Sequence, residues 1–174
     1  MYRVPILATF ASVATNAHAQ DNVAAGYGSW SIDLAVVAVT AVVVCVCVLL
    51  HYEVLNVLSR RLARLEGRRR RRVLFGIFGV LSVHVAEIWI FGVAYVLLLT
   101  LSPAFGAVHG IPAPDVLDHI YFSAMTFTTV GFGDVYPSGP IRFLAGTEAL
   151  AGLVLITWSA SFTFLEMARF WRDR

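Results

Sequence analysis

The chain has 174 residues, of which 59% are hydrophobic and 14% charged, and this composition excludes an ordinary soluble domain. The formal net charge of +2 hides an uneven distribution, because there is no lysine and eight arginines fall between Arg60 and Arg72. Apolar segments flank that block on both sides, so the cytoplasmic loop of a membrane protein is expected and not a nucleic-acid surface.

Residues 1–19 follow the plan of a signal peptide: Arg3, a short apolar centre from Val4 to Ala14, then the small-residue pattern Ala17-His18-Ala19. That centre is too short to cross a bilayer, which takes about 17–25 residues. Residues 20–32 form an external lead, and residues 33–50, nearly all Val, Ala, Leu and Cys, form a first transmembrane helix. Cys45 and Cys47 would point roughly 200° apart on a helix turning ~100° per residue, so they are expected as small buried hydrophobes and not as a disulfide. In residues 51–72, Leu55, Leu58, Leu62 and Leu65 recur at helical steps among arginines. The pattern predicts a basic amphipathic segment lying on the cytoplasmic interface, with Arg60–Arg72 on anionic lipid headgroups. The arginine run is contiguous outside the apolar stretch, which does not suit a voltage sensor.

Residues 73–101 are the second span, where Gly76, Gly79 and Ser82 mark a close-packing ridge. His84 and Glu87 share a helical face about 18 Å from Arg72, given ~1.5 Å per residue, and hence lie near mid-membrane. Ionisable groups at that depth are functional candidates. Three readings of the pair stay open: a neutral hydrogen-bonded pair fixing helix orientation, a proton-sensitive latch to the third span, or a metal site that also uses His51 or Glu53.

Residues 141–170 are the third span. Gly146 and Gly152 interrupt it, Thr157, Ser159, Ser161 and Thr163 offer polar lining for an inner cavity, and Glu148 either attracts cations or pairs with Arg142. Arginines gather after the first and third spans, which places the basic loop and the C-terminus in the cytoplasm and residues 102–140 outside.

Residues 115–134 fit neither a span nor a loop. Asp115 is an N-cap for a short, aromatic helix over residues 116–128, after which Gly131 and Gly133 alternate with Val130 and Phe132. A helix too short to cross and too apolar for water suggests a re-entrant half-helix with an extended return. Such backbone is tolerated at depth only where it lines a path inside protein. A phosphate cradle is disfavoured because no lysine follows the glycines.

The stretch SAMTFTTVGFGDVYP resembles the selectivity filter of the potassium channel pore-loop family, and the resemblance extends over the span, pore loop and span from Val73 to Phe170. It implies an all-α membrane protein: three transmembrane helices, a re-entrant pore helix and filter between the second and third, and a pore completed by three further copies of the chain. It implies passive movement of potassium through dehydrating carbonyl rings, no enzyme chemistry, no cofactor, and no metal beyond the transported ion. The family pattern assigns ion coordination to the carbonyls of Thr129, Val130, Gly131 and Phe132, with the Thr129 hydroxyl. Thr128, Gly133 and Asp134 support the filter. Gly152 lies near the point where the family's inner helix bends, so it is either a gating hinge or a close-packing site. Two departures stand out. Phe132 replaces the more familiar tyrosine, and Met125 stands where several relatives carry an acid that pairs with the post-filter aspartate, leaving Asp134 short of one partner. The expected location is the cell's plasma or inner membrane. The rival readings are a weakly selective cation channel and a non-conducting membrane sensor or assembly partner on the same scaffold.

Overall fold

The structure, a computed structural model, describes residues 30–64, 69–112 and 114–171. The signal-like residues 1–19, most of the expected lead and Arg68 lie outside them. The elements in chain order are α1 (Trp30–Ala63), α2 (Arg69–Leu101), a 3-10 turn (Pro103–Phe105), β1 (Ala107–His109), α3 (Val116–Phe127), β2 (Tyr136–Ser138) and α4 (Ile141–Trp171). Among the described residues three helices are long and apolar enough to cross a membrane: α1 as a whole, Arg70–Leu101 and Ile141–Ala168.

α1 is one helix of 34 residues, with Asp33 in its first turn and Arg60 and Arg61 in its last, the charge order that its dipole favours. At ~1.5 Å per residue it is about 51 Å long, well beyond the ~30 Å hydrocarbon core. The span expected to end at residue 50 and the interfacial segment expected from residue 51 thus share one helix, which continues unbroken to Ala63. His51, Leu55, Leu58 and Leu62 are all buried. A Cβ placed on Gly79 would meet Leu58, and one on Gly76 would meet Leu62, so the glycine ridge of α2 receives the leucine stripe of α1. The leucine spacing marks an apolar face but does not say whether lipid or protein covers it. Of the cysteines, Cys47 is buried as expected and Cys45 is exposed.

α3 starts where Asp115 predicts. The Asp115 carboxylate accepts from the Asp118 N–H (3.0 Å), and the Asp118 carboxylate accepts from the Asp115 N–H (2.8 Å). This reciprocal box satisfies two of the donors that a helix start leaves open. The helix is wedged between α2 and α4. Phe91, Tyr95 and Leu98 of α2, Phe122 and Phe127 of α3, and Ile141, Leu144 and Leu155 of α4 form the centre of the core. The Tyr95 and Phe122 rings meet edge to face with centroids 5.0 Å apart. In a membrane such shape-matched packing, with interhelical hydrogen bonds, holds helices together more than apolar burial does.

An all-α chain with an extended return is expected, yet β1 and β2 pair antiparallel, Ala107 with Ser138 and His109 with Tyr136. They join the chain just before α3 to the chain just before α4. Three-residue strands, one of them with Pro137 at its centre, carry no periodic signal.

Candidate functional site

The end of α3 launches the glycine-spaced stretch. Thr128 caps the helix, its N–H bonded to the Ala124 carbonyl at 3.1 Å and its hydroxyl to the same oxygen at 2.7 Å. The Thr129 N–H then donates to the Thr126 carbonyl at 2.9 Å, and the Gly131 N–H reaches back to the Met125 carbonyl at 3.2 Å. Backbone φ is +58° at Thr129, +51° at Gly131 and +80° at Gly133, while Val130 and Phe132 between them keep negative φ. Glycine takes left-handed backbone without penalty; threonine, branched at Cβ, does not. The sequence marks the two glycines but not Thr129, whose conformation no composition signal announces. Residues 128–134 are all exposed in the single chain, Phe132 to 72%.

Asp134 is not left short of a partner. Tyr121, one turn before Met125 on α3, donates its hydroxyl to Asp134 Oδ2 at 2.8 Å. That bond holds the tyrosine hydroxyl above its ordinary pKa of 10.0, chiefly because ionisation would remove the proton that Asp134 accepts, and also because two negative charges would then adjoin.

Gly152 faces the C-terminal end of α3, and a Cβ there would lie 2.0 Å from the Phe127 carbonyl oxygen. Glu148, one turn earlier on α4, points neither at Arg142 nor outward. It is fully buried, accepts from the Tyr95 hydroxyl at 2.6 Å, and its other oxygen lies 2.5 Å from Ser123 Oγ. The Ser123 hydroxyl also contacts the Ile88 carbonyl at 2.8 Å, so this network ties α2, α3 and α4 together.

His84 and Glu87 do pair, with His84 Nδ1 2.8 Å from Glu87 Oε2. The other oxygen of Glu87 is 2.8 Å from Nδ1 of His51, which α1 carries into the bundle. Ser159 of α4 lies 3.3 Å from His51 Nε2, and the Trp158 ring packs on His51 at 5.2 Å. Glu53, the alternative third group, is exposed and takes no part in this cluster. Ser159 is thus turned into the protein, whereas Thr157 and Ser161 are exposed and bond back to their own helix. His84 also packs against Phe127, with ring centroids 5.9 Å apart, so the cluster adjoins the C-terminal end of α3.

Residues 83–168 match the family described as ion channel, a segment that runs from α2 through α3 and the glycine-spaced stretch to α4. That segment belongs to the ion-channel family. Its task is therefore transport across a membrane and not catalysis. No curated protein and no solved structure matches the chain.

Proposed function

We propose that this ion channel is selective for potassium, which passes by electrodiffusion while the carbonyl oxygens of Thr129, Val130, Gly131 and Phe132, and the Thr129 hydroxyl, replace its hydration shell. The observation that carries the reading is the alternation of left-handed backbone at Thr129, Gly131 and Gly133 with ordinary backbone at Val130 and Phe132. Alternation of this kind turns successive peptide carbonyls to one side. A β-branched residue held at positive φ costs about 1–3 kcal/mol and persists where the surroundings impose it, as they do in ligand clamps. A plain external turn has no need of such a residue. The C-terminal end of α3, with its partial negative charge, favours a cation at Thr128.

The working unit is a homotetramer. Backbone at membrane depth needs protein or a water-filled path against it, and residues 128–134 are exposed in the single chain. Three further copies about a closed fourfold axis supply both. The arginines from Arg60 to Arg72 rest on anionic headgroups of the inner leaflet, the C-terminus is cytoplasmic, and the filter entrance faces outward. Gly152 is the point at which bending of α4 would move the filter floor, and His51, Glu87 and His84 together hold α1 to α2.

The test is full-length protein in liposomes under bi-ionic potassium and sodium gradients, with barium as blocker. A reversal potential far toward the potassium limit, with barium block, is expected. A reversal potential near zero would replace this reading with a weakly selective channel. Intact tetramer with no flux of either ion would replace it with a non-conducting sensor.

A further inference from the structure

The geometry points to a second, non-conducted ion: a divalent transition metal of the zinc class, held by His51, His84 and Glu87 between α1 and α2. Ligand atoms from the three residues lie within 4.8 Å of one another. They come from two helices, so the fold and not local spacing gathers them. His51 and Glu87 are fully buried and the His84 side chain is 14% exposed, which leaves one side for entry. Among the described residues, His84 Nε2 is a buried ring nitrogen without a hydrogen-bond partner.

Two imidazoles and one carboxylate are borderline donors that suit zinc, cobalt or nickel. Magnesium and calcium call for more oxygens than this site offers. A tetrahedral site with bonds of about 2.0–2.1 Å separates neighbouring ligand atoms by about 3.3 Å. The present 2.8 Å separations from Glu87 to each Nδ1 must therefore open by about 0.5 Å, within the reach of side-chain torsions. A ligating Nδ1 gives up its proton. In a neutral ring that proton moves to Nε2 with no net release, and a ring that begins as imidazolium releases one proton to solvent. For His51 the relocated Nε2–H then donates to Ser159 Oγ, a contact already at 3.3 Å. Orientation of a metal-bound imidazole by a second partner is the usual supporting arrangement. Occupancy would staple α1 to α2 and, through Ser159 and Trp158, draw on α4 near the filter floor.

The experiment is titration of purified full-length protein in detergent, freed of metal by chelation, with cobalt(II) and then zinc. The readouts are the visible bands of four-coordinate cobalt and metal-to-chain stoichiometry by mass spectrometry; neither depends on flux, so the result stands apart from the selectivity reading. One metal per chain is expected. The affinity should fall at least about 100-fold in His51→Gln and His84→Gln, about 10-fold in Ser159→Ala, and not at all in Glu53→Gln. Absence of four-coordinate cobalt bands in folded wild-type protein would overturn the proposal, whatever the variants do. So would undiminished binding in the His51→Gln/His84→Gln double variant; the cluster is then a proton-filled hydrogen-bonded clasp.

Discussion

Replacing Gly152 with alanine tests how α4 is held against the pore helix. The new methyl carbon would sit 2.0 Å from the Phe127 carbonyl oxygen, 2.8 Å from its carbon and 3.0 Å from the Phe127 Cα. Ordinary contact begins at 3.4 Å, so the two helices must part by about 1.4 Å at the floor of the filter. The obstructing atoms are backbone, and no rotamer change relieves the clash. Overpacking costs about 1–3 kcal/mol, and a backbone opponent places Gly152→Ala at the upper end, about 3 kcal/mol per copy. Thermal unfolding of the protein should start at a lower temperature, and ion flux in liposomes should change with it. Gly146→Ala is the internal comparison, because beyond its own turn of helix a Cβ there meets none of the described residues within 4 Å; it should stay within about 0.5 kcal/mol of wild type. A pure hinge would lose its flux behaviour at unchanged melting temperature, whereas close contact predicts that both move. If Gly152→Ala melted like Gly146→Ala and conducted like wild type, the packing argument would be wrong.

Gly131→Ala, at a φ of +51°, forces a Cβ into left-handed backbone at a cost of about 1–2 kcal/mol per copy; bi-ionic reversal potentials should move toward zero, and unchanged selectivity would refute the filter geometry. Tyr121→Phe removes the 2.8 Å bond to Asp134 and should speed the decay of sustained current without altering the reversal potential. Because the Tyr121 hydroxyl titrates above its ordinary 10.0, the bond is fully present below pH 10.0 and is lost as pH rises through the raised value. The variant at neutral pH should therefore behave as wild type does only beyond that point, and identical decay in both would dismiss the bond's role. Glu148→Gln should be tolerated, because a carboxamide offers an acceptor to Tyr95 and a donor to Ser123, whose own proton can then serve the Ile88 carbonyl. Glu148→Ala leaves the buried Tyr95 hydroxyl unpaired beside a cavity, costing about 3 kcal/mol; equal melting temperatures of the two variants would count against the network.

The contrast between what the sequence discloses and what it conceals follows from the range of each interaction. Asp115 announces the start of α3 because a cap and its partner Asp118 lie within one helical turn. Gly131 and Gly133 announce left-handed backbone because no other residue takes it freely. Thr129 gives no such warning, since its conformation is imposed by the hydrogen bonds at the end of α3 and by whatever faces the strand. The leucines of α1 display an apolar face but not its neighbour; the glycines at positions 76 and 79 were the complementary surface, legible only once the two helices were known to cross. His51, Glu148 and Tyr121 make the same point for polar groups. Each finds its partner more than a turn away in sequence: Glu87 at 36 residues from His51, Tyr95 at 53 from Glu148, and Asp134 at 13 from Tyr121. Local pattern fixes where a helix begins and which face is apolar. Which buried polar groups meet is decided by helix crossing: His51 finds Glu87 and Tyr95 finds Glu148 where α1, α2 and α4 pack beside α3, and a small displacement of α4 would be felt there first.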